Sequence, residues 1–146
     1  RVFVGFIAGV LAAFAADIAN WIFYYMNITN VRFLDWASII LLGHQSNNAF
    51  QIAVMQIYQI IWDGLLGIVF SLLIPLIKSQ GLVFKGVLYS FVLLFIFRAI
   101  TVLFALRPLK DISFDTFISN AFCSIIWGIL MPYIIVRIYD FQNNRL

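Results

Sequence analysis

Four stretches of the chain, at about 2–25, 51–77, 86–106 and 117–136, are nearly unbroken runs of apolar residues. Each is long enough to cross a bilayer as a helix, which takes about 20 residues at about 1.5 Å rise per residue. A fifth apolar run, 31–43, carries Phe33, Trp36, Ala37, Ile40 and Leu41 at helical spacing, with Arg32 and Asp35 at i, i+3. At this length a helix reaches only about 20 Å and cannot cross. The pattern therefore predicts a four-transmembrane-helix bundle, all-α, with an interfacial or re-entrant helix between the first and second spans. No internal repeat or linker interrupts it, so residues 1–146 read as a single polytopic membrane domain.

The joints carry helix punctuation. Lys78, Ser79, Gln80 and Gly81 end the second span, with Gly81 suited to a left-handed cap, and Pro108 follows the third. Ser113 or Asp115 is placed to cap the fourth helix, and Ser46, Asn47 or Asn48 the second. Trp21, Tyr24, Tyr25 and Trp36 mark one membrane interface, and Tyr89, Tyr133 and Tyr139 the other. Trp62 and Trp127 fall near mid-membrane and break that rule. The chain opens on Arg1 rather than methionine, so further residues are expected upstream.

Composition agrees with the pattern: 64% of residues are apolar and only 10% charged. A soluble domain of this size carries roughly 25% charged residues, so the solvent must be lipid. The net charge of +3 is scattered in ones and twos between spans. It forms no basic stripe that could follow phosphates, which excludes nucleic acid as a partner. It reads instead as topology. With four alternating spans, Arg1, Lys78, Lys85, Arg137 and Arg145 share one side and Arg32, Arg107 and Lys110 the other, which predicts cytoplasmic termini.

One cysteine, Cys123, and one histidine, His44, remove further classes. There is no thiol pair for disulfide exchange, no second imidazole for a bis-histidine haem and no metal-ligand cluster, so neither a metal nor a cofactor is expected. Ser46, His44 and Asp35 lie near one another in sequence, but no nucleophile elbow surrounds the serine. No catalytic residues are assigned, and an enzyme is not expected.

What remains is a polar stripe on each span. Asp17 and Asn20 share a face of the first with Gly5, Gly9, Ala13 and Ala16, and Gly5 and Gly9 form a GxxxG that permits close helix contact. Gln56, Gln59 and Asp63 line one face of the second with Gly67 and Ser71. Arg98 and Thr101 come from the third, and Asn120 and Ser124 from the fourth, beside Cys123 and Trp127. An unpaired charge facing hydrocarbon costs several kcal/mol, so these stripes should turn inward. Counting from the span midpoints puts Asp17, Gln59 and Arg98 in one layer, on the order of 5 Å from the centre, with Asp63 about one turn deeper.

The charges in that layer do not balance. Arg98 cannot lose its proton and is expected to hold one carboxylate, leaving the other to take up a proton, sit in water or meet a bound cation. Asp17, Asn20, Gln56, Gln59, Asp63, Arg98, Thr101, Asn120 and Ser124 are thus the candidate polar site, with His44 at its outer mouth. Two functions fit: small-solute or ion transport of a channel-like kind, by a homo-oligomer, or a non-catalytic accessory subunit assembling with a larger membrane complex.

A Gly-rich first helix, the segment FLDWASIILLGHQ, the opening FKGVLYSFVLLF and the turn RPLKD occur in that order. In this order of features the chain resembles small uncharacterised four-span membrane proteins of low-GC Gram-positive bacteria. The resemblance implies a bacterial cytoplasmic membrane and transfers no functional residue.

Overall fold

The computed structural model of the protein describes residues 1–77 and 80–143. Lys78 and Ser79, expected to end the second span, and Arg145, counted in the charge asymmetry, lie outside the described residues. The helices are α1 (Val2–Tyr25), α2 (Phe33–Leu42), α3 (Ala49–Ile77), α4 (Leu82–Leu103) and α5 (Phe114–Asn143), with a 3-10 turn at Leu109–Asp111. α1, α3, α4 and α5 are each long and apolar enough to cross a membrane. The protein is a multi-pass all-α bundle, and α2 is the short helix expected between its first two spans.

Local chemistry sets the helix ends. Asn48 accepts a hydrogen bond from the Gln51 N–H at 2.8 Å, and Gln51 accepts one back from the Asn47 N–H at 3.2 Å. The first bond occupies a donor that the first turn of α3 would otherwise leave bare, and the second ties the preceding Asn47 to that turn. Ser113 does the same for α5, accepting from the Thr116 N–H at 3.2 Å. Gly43 (φ 78°) closes α2 and Gly81 (φ 66°) precedes α4, both in the left-handed region that glycine enters at no steric cost. α4 stops at Leu103, short of the expected 106, while α5 continues seven residues past the expected 136. Tyr133 and Arg137 are paired there at i, i+4, with Arg137 Nε donating to the phenol oxygen at 2.9 Å.

α1 is the centre of the bundle, packed against α3 on one side and α5 on the other, and α4 packs on α5. Small residues permit this. Gly5 and Gly9 lie against Gly64 and Gly67, and a Cβ added at Gly67 would stand 2.9 Å from the Gly9 Cα. The GxxxG contact read from the sequence is thus made within the chain, between α1 and α3. A similar approach of α4 to α5 runs through Gly86 and Gly128, where an added Cβ would meet Ser90 Oγ at 2.7 Å. Ala8, Ala12, Ala13, Phe70, Trp127, Met131 and Ile135 fill the core between them.

α3 and α4 share little surface despite being neighbours in sequence. Near the side that carries both termini they are joined by Tyr89, whose hydroxyl donates to the Leu66 carbonyl at 3.0 Å. Nearer α2 they meet through Trp62 and Phe97, edge to face with centroids 6.2 Å apart. α2 lies across that end. It is held by an ion pair between two buried side chains: Arg32 Nε and Nη2 each donate to Asp35 at 3.0 Å, and the Arg32 N–H adds a bond at 2.8 Å. The guanidinium also lies over Trp21 and Tyr24, at 5.0 and 4.7 Å from the ring centroids.

Candidate functional site

The inward face of α1 is alanine and glycine until Asp17 and Asn20, both of which are buried. Because small residues bring α3 and α5 close, these two side chains are met directly by polar partners. Gln56 Nε2 donates to Asp17 Oδ2 at 2.8 Å and also to Gln59 Oε1 at 2.6 Å. Gln59 Nε2 donates in turn to Asp63 Oδ2, and Trp21 Nε1 donates to Gln56 Oε1 at 3.0 Å. A continuous line of hydrogen bonds therefore runs from the indole of Trp21 through two amides to two carboxyls. The i, i+3, i+7 spacing of Gln56, Gln59 and Asp63 on α3 makes it possible, since those positions stack on one helix face.

A second, neutral pair lies beside it. Asn20 Nδ2 donates to Asn120 Oδ1 at 3.3 Å, and Asn20 Oδ1 accepts from the Phe33 N–H at 2.9 Å, which ties the start of α2 to α1. Trp127 Nε1 donates to the Gly9 carbonyl at 3.2 Å, and the indole stacks on Tyr89.

Gln59, Asp63, Asn120 and Ser124 form part of the wall of a cavity of about 640 Å³. It occupies the gap between α3 and α4, beneath α2, and the rest of its lining is chiefly apolar and aromatic, including Trp36, Tyr58, Trp62, Phe97 and Trp127. Two donors on its lining residues, Trp36 Nε1 and Asn120 Nδ2, are buried without a hydrogen-bond partner. Buried donors in native structures are nearly always paired, so these two are unusual.

The structure corrects the expected role of Arg98. Its guanidinium does not reach Asp17 or Asp63. Nη1 donates to the Leu109 carbonyl and to Thr101 Oγ1 (3.3 Å), and Nη2 donates to the Lys110 carbonyl at 2.7 Å. The long side chain has swung along α4 toward the end of the bundle, where backbone carbonyls of the 3-10 turn satisfy it, as arginines near span ends do. Thr101 goes with it, its hydroxyl bonded to the Arg98 carbonyl at 2.8 Å. Arg98 and Thr101 are thus an anchor for the α4–α5 connection, apart from the carboxyls. Among the described residues the ion pair is Arg32 with Asp35, and no lysine or arginine pairs with Asp17 or Asp63.

His44 is exposed in the connection after α2, with its Nδ1 2.8 Å from the Gln45 carbonyl oxygen, and it does not line the cavity. Its own carbonyl accepts from Ser38 Oγ at 2.6 Å, and Ser46 Oγ donates to the same serine. Asp35, engaged by Arg32, is not a partner for that histidine. Among the described residues no three His, Cys, Asp or Glu side chains converge to hold a metal.

The sequence-predicted residues that the fold unites are Asp17, Gln56, Gln59 and Asp63, with Asn20, Asn120 and Ser124 next to them. Sequence reasoning missed the aromatic wall. Its signal was the mid-membrane position of Trp62, which belongs to neither interface belt. Comparison of the chain with protein-family models, with curated proteins and with solved structures gives no match, so the functional reading rests on this geometry alone.

Proposed function

We propose that the protein binds and moves small cationic solutes at a site within the bundle, in a bacterial cytoplasmic membrane with its termini in the cytoplasm and α2 outside. One observation carries the reading. Asp17 is linked through Gln56 and Gln59 to Asp63, which stands on the wall of a cavity, and among the described residues no basic side chain is paired with either carboxyl. Two carboxyls in a low-dielectric setting repel and pay heavily for desolvation. A structural device would carry its own counter-ion, as Arg32 and Asp35 do. A site that lacks one is suited to a cation that comes and goes. The lysine and arginine asymmetry of the flanks supports the orientation.

The alternative is a non-catalytic accessory subunit of a larger membrane complex; its contact surface would lie elsewhere than the Gly5–Gly9 face, which is covered by α3 within the chain.

The test is tracer flux in proteoliposomes with rubidium and methylammonium. The reading predicts uptake above protein-free liposomes that Asp63→Asn and Asp17→Asn each abolish, while Arg98→Gln retains it. Flux equal to that of protein-free liposomes would overturn it.

A further inference from the structure

We infer that the occupant of the α3–α4 cavity is a hydrophobic organic cation: a positively charged centre carrying an apolar, preferably aromatic, body. The inference deepens the reading above by naming the substrate class, and it rests on that reading.

Three features of the cavity select this chemistry together. The first is charge. Asp63 lies on the wall, with Asp17 two amides behind it, and among the described residues neither has a basic partner. The second is the remainder of the lining. A hydrated inorganic ion needs oxygen ligands in number, whereas here Tyr58, Trp62, Phe97 and Trp127 share the wall with Asp63. Aromatic faces attract cations and also bury apolar groups, so one wall serves both halves of such a ligand. The third is size: at about 640 Å³ the cavity lies in the range of clefts, about 300–1,000 Å³, that enclose drug-sized molecules. That is far more room than a lone metal ion or ammonium fills.

The path of entry follows from the packing. Toward the terminal side of the cavity α3 and α4 are joined by the Tyr89–Leu66 bond and by Tyr89 against Phe70, with Tyr89 stacked on Trp127. Toward α2 it is roofed by Phe33, Trp36 and Ile40. Laterally the edge contact of Trp62 with Phe97 bridges α3 and α4, and Trp62 is half exposed on the outer surface of the bundle. A hydrophobic cation dissolved in the membrane would reach Asp63 by displacing that pair, without crossing water.

Equilibrium dialysis of labelled tetraphenylphosphonium against the purified full chain in dodecyl maltoside micelles tests this, with neutral triphenylphosphine oxide as the uncharged comparison. The expected result is saturable binding of the cation alone. Asp63→Asn should weaken it by at least about thirty-fold, the low end of the effect of removing one member of a desolvated charge pair. Leu94→Trp, which narrows the cavity from the α4 wall and leaves both carboxyls in the sequence, should weaken it clearly, and it decides the matter if Asp63→Asn does not fold. Absence of saturable binding, equal binding of the neutral compound, or undiminished binding in a folded Asp63→Asn or Leu94→Trp variant would overturn the inference. If tetraphenylphosphonium fails while Asp63-dependent flux of rubidium or methylammonium persists, the substrate class is wrong and the transport reading stands. If both fail, both readings fall.

Discussion

Replacing Asp35 by alanine removes the acceptor of three hydrogen bonds from Arg32 and leaves a guanidinium buried at the root of α2. Two of those bonds are charge-assisted, each contributing about 1.5–3 kcal/mol, and the third is the capping bond to the Arg32 N–H, contributing about 0.5–2 kcal/mol. The contacts of the cation with Trp21 and Tyr24 are present in both proteins and do not enter the difference. The expected loss is about 3–5 kcal/mol, the usual cost of breaking a buried pair by deleting one partner. Unfolding by sodium dodecyl sulfate in mixed micelles, followed by circular dichroism, measures it. The double variant Arg32→Met/Asp35→Leu removes both charges and should recover most of the deficit, since a buried pair is often replaceable by apolar residues of similar volume. A single variant within about 0.5 kcal/mol of the parent, the range of an ordinary surface change, would refute the reasoning. It would mean that water reaches Arg32.

Other consequences follow from the same packing. Gly67→Ala pushes a methyl group toward the backbone of Gly9, so α1 and α3 must separate; unfolding should become about 1–3 kcal/mol easier, and cation binding should weaken as Gln56 draws away from Asp17. Arg98→Gln loses the bonds to the Leu109 and Lys110 carbonyls and should cost about 2–4 kcal/mol in the same assay, while tetraphenylphosphonium binding stays unchanged. Trp127→Phe gives up one hydrogen bond to Gly9, at about 1 kcal/mol, and keeps most of the stacking on Tyr89, so thermal unfolding should shift only slightly.

How much of this was legible beforehand depended on what each residue's chemistry constrains. The spans were legible because lipid permits so little else, and α2 because Arg32 and Asp35 sit at helical spacing in a run too short to cross. Asp17, Gln56, Gln59 and Asp63 are joined by hydrogen bonds, since polar side chains on adjoining inward faces have nowhere else to turn. Arg98 does not join them. Helix geometry places its Cα in the same layer, but the long side chain lets the guanidinium act well away from that position, and the carbonyls it found belong to a turn that hydropathy cannot see. Helix ends failed for a related reason: hydropathy marks where the lipid stops, whereas α5 continues through Arg137 and Asp140 to Asn143. The cavity was invisible because it arises from which helices do not touch. Nothing in α3 or α4 alone predicts that Trp62 and Phe97 face a gap.

The central claim is that Asp63 is held for a ligand and not for the fold, and the stability of the empty Asp63→Asn protein tests it most directly. Asparagine keeps an oxygen to accept from Gln59 and removes a carboxyl that has no basic partner among the described residues. The account predicts an unfolding free energy in micelles equal to the parent's or higher by up to about 2 kcal/mol, the stability that a functional site gives up. A loss of about 3–5 kcal/mol, the cost of orphaning one half of a buried ion pair, would contradict it.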